Sequence, residues 1–342
     1  MSTTERLYYA DSHLLEFDAL VVSVAPLAGG RAGVRLDRTA FYPTGGGQPS
    51  DTGALGAARV VECVDEEAAG VLHVVEGETP SAGERVRGRV DGPRRLDHMQ
   101  QHTGQHILSQ AFVRLFGAET RSFRMAERVC EIDVALDAPS DERVRQAVEL
   151  ANRIIWEDRP VTVRFATAED ASRLPLRKDS AREGELRIIE IEDFDLSPCG
   201  GTHARRTGEV GLIAVRSWER AKGLARVEFV AGGRALADYD AANASARASA
   251  ALFSVGRDEA PAAVARLLDE NKRLARRVRE LEEVTARVEA SELYAATEPR
   301  AEDGLRVVSR VFEGRDAESL KRLAHALVAN PLTVALLGAH SG

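Results

Sequence analysis

The chain has 342 residues, of which 44% are hydrophobic, and its formal net charge is -8. A chain of this length can bury a sizeable core and divide into two or more domains. It holds no apolar run of about 18 residues, and its N-terminal residues lack the basic and apolar regions of a signal peptide. We therefore expect a cytoplasmic protein without membrane contact. Its three cysteines are widely spaced, which argues against a disulfide framework and leaves a thiolate ligand available.

Residues 6–92 contain short strand-like segments separated by glycine, and none of these segments has a helical period. This pattern predicts a small β-barrel or a β-sandwich. A helix is predicted next, over about 94–116, because apolar residues recur on one face and Gly117 can end it. A second helix is predicted over about 141–157, after Ser140, whose side chain can cap it.

The chain continues with four strand-like segments, VTVRF, LRIIEIE, GLIAVRSW and LARVEFV, and a turn, SPCGGTH, lies between the second and the third. We expect this middle region to be α/β or α+β. Residues 234–252 predict a helix, and a seven-residue apolar repeat over 260–295 predicts a coiled-coil-like helix. An antiparallel helix pair within the chain explains this repeat equally well. After Pro299, a strand, a helix and a strand predict a small α/β domain that is incomplete.

Two pairs of residues have the spacing of metal ligands. His102 and His106 are four residues apart on the first predicted helix, so both imidazoles project from one face. Cys199 and His203 are also four residues apart, in a turn whose glycines let a thiolate and an imidazole converge. Zinc prefers imidazole nitrogen and thiolate sulfur, so we predict that these four side chains hold one zinc ion.

The role of the zinc stays open at this point. Four protein ligands form a closed site of the structural type, whereas catalytic zinc usually keeps a position for water. One ligand could leave, the ion could become five-coordinate, or zinc could only organise the pocket. No glutamate lies between His102 and His106, which disfavours a metalloprotease. His98, one turn earlier, is a catalytic candidate for supporting a ligand or moving a proton, and a capping or exposed histidine is the alternative.

A glycine-rich segment, FYPTGGGQPSDTG over 41–53, would let backbone N–H groups approach a ligand, although a tight barrel turn has the same composition. It lacks the lysine of a P-loop and the spacing of a dinucleotide fingerprint. In this order, the segment, HTGQH and SPCGGTH resemble the long form of the AlaX-type alanyl-tRNA editing proteins. These are free-standing relatives of the editing domain of alanyl-tRNA synthetase.

The resemblance implies an α+β chain. A glycine-rich β-barrel (1–92) would pack on an α/β zinc-binding editing domain (93–235), followed by a coiled-coil-like helical segment (236–297) and a partial α/β domain (298–342). The four predicted zinc ligands match those of the family. Thr44 and Gln48 fall in the segment that lines the family's amino-acid pocket, so both are candidates for the catalytic site.

The implied function is that of a trans-editing hydrolase. It would cleave the aminoacyl ester of mischarged tRNA for alanine at the zinc site, with seryl-tRNA as the first substrate and glycyl-tRNA as the second candidate. Two alternatives remain open: a threonyl-type tRNA editing domain, which shares the histidine and cysteine motifs, and a tRNA-binding module with a purely structural zinc. For a homodimer, we expect the 260–295 helix or the C-terminal domain to form the interface.

An acidic chain can still hold RNA if its cations gather on one face. Residues 200–234 carry seven cations against three carboxylates, a local net charge of +4. The tRNA-binding candidates there are Arg205, Arg206, Arg216, Arg220 and Lys222, although arginines scattered over a solvated surface are an equally good explanation. Further candidates are Arg121, Arg124, Arg177, Lys178 and Arg182. Aromatic residues do not interleave with these cations, which favours recognition of a folded stem by shape over base stacking.

Overall fold

The computed structural model describes residues 4–177 and 185–340 of the chain. The chain divides into two compact units, Met1–Ala241 and Ala242–Gly342. The fold is mixed α+β, as predicted, and it contains a closed barrel of six strands. Among the described residues, no helix combines the length and the hydrophobicity needed to cross a membrane.

The first unit begins with the barrel, which confirms the β-rich prediction for this region. Its strands are β1 (Glu5–Arg6), β2 (Glu16–Pro26), β3 (Ala32–Leu36), β4 (Arg38–Thr39), β5 (Gly53–Leu55), β6 (Ala58–Asp65), β7 (Val71–Glu76) and β8 (Arg85–Val90). The barrel closes in the order β2-β3-β7-β6-β5-β8, while β1 and β4 form a short parallel pair. Buried and exposed residues alternate along β2, so that Phe17, Ala19 and Val21 enter the barrel core.

Helix α1 (Gly92–Phe116) follows the barrel directly. It begins after Asp91, whose side chain accepts a hydrogen bond from Arg94 N, and it ends at Gly117 in the left-handed conformation, with φ at 63°. Both ends agree with the predicted helix. The helix is joined to the barrel by an ion pair between Arg95 and Asp51, whose side chains are both 0% exposed.

The rest of the first unit contains two antiparallel sheets and two further helices. Its strands are β9 (Thr120–Met125), β10 (Cys130–Val134), β11 (Val161–Ala166), β12 (Leu186–Ile191), β13 (Asp195–Pro198), β14 (Ile213–Ala221) and β15 (Leu224–Ala231), and its helices are α2 (Asp141–Trp156) and α3 (Ala168–Ser172). The sheet orders are β14-β15-β10-β9 and β11-β12-β13. Helices α1 and α2 pack on the first sheet through apolar residues such as Phe112, Ile132 and Phe229.

The second unit contains the end of α4 (Gly232–Ala251), then α5 (Ala260–Ala295), β16 (Arg306–Glu313), α6 (Ala317–Val328) and β17 (Thr333–His340). Strands β16 and β17 are parallel, and α6 connects them around a small core that includes Val308, Leu323 and Leu327. The strand, helix and strand predicted after Pro299 are therefore present. Helix α5 is continuous, but the repeat residues Leu267 and Leu274 are 51% and 58% exposed, so the coiled coil stays a prediction.

Candidate metal centre

Two segments that are distant in sequence meet beside α1. His102 and His106 lie one turn apart on this helix, and both are buried. Cys199 and His203 lie in the turn after β13, and β13 contacts α1. One donor atom from each of the four side chains lies within 4.8 Å of the other three. The structure therefore brings together all four residues that the sequence marked as metal ligands.

The spacing of these donor atoms fits a zinc ion. His102 Nε2 and His203 Nε2 lie 3.4 and 3.3 Å from Cys199 Sγ. A tetrahedral ion with Zn–S and Zn–N bonds of about 2.3 and 2.1 Å would hold sulfur and nitrogen about 3.6 Å apart. Three imidazoles and one thiolate also form a donor set that zinc prefers. The cluster thus fits zinc in both chemistry and spacing.

Each imidazole of the cluster is oriented through its other ring nitrogen. The contacts of Nδ1 are Gln48 Oε1 for His102 (2.7 Å), Asp195 Oδ2 for His106 (3.1 Å) and Thr103 Oγ1 for His203 (3.3 Å). These contacts leave the Nε2 atoms available to a metal ion. Partners of this kind fix the orientation of a ligating ring and increase its basicity.

The glycine-rich segment reaches the cluster through Gln48, which is buried. Gln48 Nε2 donates to Thr202 Oγ1 at 2.9 Å, and its Oε1 accepts from Thr202 N at 3.2 Å as well as facing His102. The neighbouring Gly47 has φ at +84°, and a Cβ there would lie 2.5 Å from the carbonyl oxygen of Phe123, so this position requires glycine. Gln48 therefore links the barrel segment to both pairs of ligands.

The surroundings of two groups of the centre, Cys199 and Asp195, favour their ionised forms. Burial opposes ionisation of the Cys199 thiol, but the imidazoles of His102 and His203 outweigh burial and lower the thiol pKa well below its ordinary value. Burial also opposes ionisation of Asp195, whereas the hydrogen bond with His106 and the charge of Arg177 lower its pKa to about 2. The centre thus combines a thiolate with a charged partner for one histidine.

A cavity of about 490 Å³ adjoins the cluster, a volume typical of small-molecule sites. His102, His106 and Cys199 form part of its wall, and Thr44 faces it from the barrel side. Other residues of the wall are Tyr9, Tyr42, Gln105, Thr120, Arg121, Phe123, Arg177, Glu185 and Arg187. Of the two predicted pocket residues, Thr44 lines the cavity, whereas Gln48 is not among the described residues of its wall. Gln48 instead contacts the candidate metal ligand His102.

His98, the remaining catalytic candidate, does not line this cavity either. It is buried on α1, and its Nδ1 has no hydrogen-bond partner within the part of the chain that the structure describes. Burial lowers the pKa of His98 to about 4, which keeps the imidazole neutral at physiological pH. This position favours a structural role over contact with a substrate.

Three of the five predicted tRNA-binding residues form ion pairs with carboxylates. The pairs are Arg205 with Asp11 (3.1 Å), Arg206 with Asp158 (2.6 Å) and Arg216 with Asp238 (2.8 Å). Arg220 and Lys222 are exposed at the turn between β14 and β15. Of the further candidates, Arg121 and Arg177 line the cavity and Arg124 pairs with Glu131, while Lys178 and Arg182 lie outside the described residues.

Two functional residues were missed from the sequence. Arg187 is 7% exposed, and its Nη1 donates to the carbonyl oxygens of Cys199 and Gly201 at 2.7 and 2.9 Å, which holds the backbone of the ligand turn. Asp195 accepts from Arg177 Nε at 2.7 Å and holds His106. The available signal was a charged residue within or beside an otherwise apolar strand, since such a residue must find a partner when buried.

Two family models match parts of the chain. A family model described as the threonyl and alanyl tRNA synthetase second additional domain matches residues 186–228, and one described as class II (A) tRNA synthetases matches residues 2–94. The alanyl-tRNA editing protein AlaX-L of Pyrococcus horikoshii is 39% identical over 240 residues. The chain is therefore similar to the AlaX-type alanyl-tRNA editing proteins. The aligned part is 68% of this chain and 59% of that relative.

Alanine–tRNA ligases are similar to this chain as well. The ligase of Pyrobaculum neutrophilum is 37% identical over 85% of the chain, and that of Natronomonas pharaonis is 34% identical over 98% of it. The chain spans 59% of the length of the AlaX-L relative, and 34% and 37% of the lengths of these two ligases. The second of these alignments includes most of the second unit of this chain.

Proposed function

We propose that this chain is a trans-editing hydrolase that deacylates tRNA for alanine when it carries serine. The observation that carries this proposal is the position of the cavity, whose wall includes two imidazoles and the thiolate of the four-residue cluster. The similarity to AlaX-L, an alanyl-tRNA editing protein, supports the same reaction. In this reaction water adds to the ester carbonyl carbon, the bond from that carbon to the ribose oxygen breaks, and the ribose oxygen takes up a proton.

His102, His106, Cys199 and His203 would hold a single zinc ion. Bound zinc supplies a Lewis acid that polarises a carbonyl or lowers the pKa of water to about 7. The chain itself keeps the histidines in place through Gln48, Asp195 and Thr103, and Arg187 holds the ligand turn.

Thr44 is proposed to distinguish serine from alanine. Its Oγ1 accepts a hydrogen bond from Ser50 N at 3.1 Å, which leaves the hydroxyl proton of Thr44 available to the hydroxyl of a seryl group in the cavity. Alanine would leave this donor without a partner. A site that requires such a partner can discriminate by up to about 10⁴- to 10⁵-fold. Glycine lacks both the methyl and the hydroxyl group, so its cleavage would need selection by size.

The test is the rate of deacylation of seryl-, glycyl- and alanyl-tRNA, all on tRNA for alanine. The proposal expects seryl-tRNA to be cleaved and alanyl-tRNA to survive, whereas equal cleavage of both, or of neither, would reject it. Thr44→Val should reduce the preference for serine over alanine. Thr162→Val is the matched control, because Thr162 is an exposed threonine on β11 that does not line the cavity.

Two alternative functions are tested in parallel. Seryl-tRNA for threonine is the substrate of a threonyl-type editing domain, and faster cleavage of that tRNA would favour this alternative. A purely structural zinc would make the first unit unfold when a chelator removes the metal. Our proposal expects chelation to abolish turnover while most of the fold is kept. Cys199→Ala should abolish stoichiometric zinc, and Cys63→Ala, which changes a buried barrel cysteine, should retain it.

We also propose that Arg220 and Lys222 contact the phosphates of the tRNA. Their turn is followed by Ala225, which pairs with Val134 on the neighbouring strand. Val134 in turn pairs with Thr120, which lines the cavity, so the turn and the cavity lie at the same end of this sheet. Binding of tRNA is measured as the slope of the logarithm of the binding constant against the logarithm of the salt concentration. Replacing both cations with alanine should reduce the magnitude of this slope by about two, one for each lost phosphate contact. An unchanged slope would exclude this surface, and Lys321→Ala in the second unit is the control.

We also propose that two copies of the chain form a homodimer through α5. The repeat places Val264, Leu267, Leu274 and Val278 on one exposed stripe, with Asn271 among them, where a polar residue can set the register of paired helices. Light scattering should give twice the mass of one chain, and Leu274→Glu should halve it. We further propose that the domains end at residues 92, 235 and 297. The proposed location of the protein is the cytoplasm.

A further inference from the structure

The cavity has a polar wall residue that the proposed function does not use. Gln105 lies on α1 between the two histidine ligands, and helical spacing places it on the same face as His102 and His106. It is only 6% exposed, and it lines the cavity. Its carboxamide therefore lies within one helical turn of the donor cluster.

A chain of hydrogen bonds holds this carboxamide. Gln105 Nε2 donates to Ser109 Oγ at 2.8 Å, and Thr120 Oγ1 donates to the same oxygen at 2.7 Å. The Oε1 atom of Gln105 accepts no hydrogen bond from the residues that the structure describes, and it is not among their fully enclosed polar atoms. An oriented acceptor thus faces the cavity, and a substrate that displaces water there must supply a donor to it.

We propose that Gln105 Oε1 binds the α-ammonium group of the aminoacyl ester. This inference rests on the proposed function, because it requires an aminoacyl ester in the cavity. The ammonium nitrogen is two bonds from the ester carbonyl carbon, so a substrate whose carbonyl faces the donor cluster brings its ammonium within reach of the same helix face. Serine, glycine and alanine all carry this group. Gln105 therefore serves binding of every aminoacyl ester, while Thr44 serves the choice among them.

Glu185 is the competing acceptor in the wall. Its carboxylate is exposed and precedes β12, whereas Gln105 is buried beside the ligands. Arg121 and Arg177, which also line the cavity, carry the same charge as an ammonium group and repel it. Among these residues, the position of Gln105 favours it as the partner of the ammonium group.

The experiment compares seryl-tRNA with its nitrous-acid product, glyceryl-tRNA, in which a neutral hydroxyl replaces the ammonium group. The quantity measured is the ratio of kcat/KM for the two esters, because the intrinsic reactivity of each ester cancels between protein variants. A hydrogen bond to a charged group contributes more than one to a neutral group, so Gln105→Leu should lower the ratio by about tenfold. Zinc content and circular dichroism are measured for every variant.

Two control variants make the result specific. Gln110→Leu changes a glutamine of α1 whose Nε2 donates to Phe194 O and which does not line the cavity, and Glu185→Gln removes the competing carboxylate. Both should leave the ratio unchanged. If Gln105 is only structural, Gln105→Leu lowers both rates equally and the inference falls. The inference is also overturned if Glu185→Gln lowers the ratio while Gln105→Leu leaves it unchanged. If the wild-type chain cleaves neither ester, the proposed function itself fails.

Discussion

The buried ion pair between Asp51 and Arg95 should dominate the stability of the first unit. Arg95 also donates to the carbonyl oxygens of Ser12 and Ala40, both at 2.6 Å, and Asp51 Oδ2 accepts from Tyr42 N at 2.7 Å. The pair therefore fixes the glycine-rich segment against α1. We consider Asp51→Leu, Arg95→Met and the double variant.

The magnitude follows from the complete burial of both side chains. Each single variant leaves one charge without its partner inside the protein, which costs about 3–5 kcal/mol of unfolding free energy. The double variant contains neither charge, although the backbone groups that the pair satisfied lose their partners. The losses of unfolding free energy in the two single variants should therefore not be additive. Their sum should exceed the loss in the double variant by about 3 kcal/mol or more.

The assay is urea unfolding followed by tryptophan fluorescence. The chain has two tryptophans, Trp156 and Trp218, and both lie in the first unit, so this signal follows that unit alone. The control cycle uses the exposed pair of Glu142 and Arg145, whose coupling should stay below about 1 kcal/mol. Additive losses for Asp51 and Arg95, within about 0.5 kcal/mol, would refute the reasoning.

Three further predictions concern the centre and the barrel. A Cβ at Gly201 would lie 2.2 Å from His102 Cε1, whereas one at Gly200 would lie 3.6 Å from Tyr9 Oη, so Gly201→Ala should lose zinc and Gly200→Ala should keep it. Metal analysis decides this, and equal zinc content in the two variants would contradict it. Asp195→Asn weakens the partner of His106 and should lower zinc affinity about 10- to 100-fold in a chelator competition, where unchanged affinity would exclude that role. Burial lowers the pKa of His73 from 6.5 to about 4. Between these two pH values the unfolded chain binds more protons than the folded one, so the free energy of unfolding should rise by about 3 kcal/mol from the lower pH to the higher. Urea unfolding of His73→Gln should lack this contribution, and an unchanged pH dependence would show that His73 is not its source.

Local rules were sufficient to predict the ligands and several elements. The four-residue spacing of His102 and His106 fixes their relative direction on any helix, and Gly117 ends that helix as its conformational freedom predicts. Short strand-like segments without a helical period predicted a barrel or a sandwich, and the structure contains the barrel. The helix features depend on residues close together in sequence, whereas closure of the barrel also needs pairing between distant strands such as β2 and β8.

Features that depend on distant partners could not be predicted. Strand β9 has the polar sequence TRSFRM without apolar alternation, and it forms because its backbone pairs with β10. Gln48 was expected in the pocket, but Thr202 and His102 bind its carboxamide from other segments. The local charge of +4 is likewise reduced by ion pairs with Asp11, Asp158 and Asp238, none of which lies in residues 200–234.

The most direct test of the account replaces the metal with cobalt(II) and records the visible spectrum with a non-hydrolysable seryl ester analogue. The account predicts one cobalt ion per chain and a thiolate-to-cobalt charge-transfer band that requires Cys199 and changes when the analogue enters the cavity. A band that persists in Cys199→Ser, or a spectrum that does not respond to the analogue, would contradict the claim that these four side chains hold a metal ion facing the substrate.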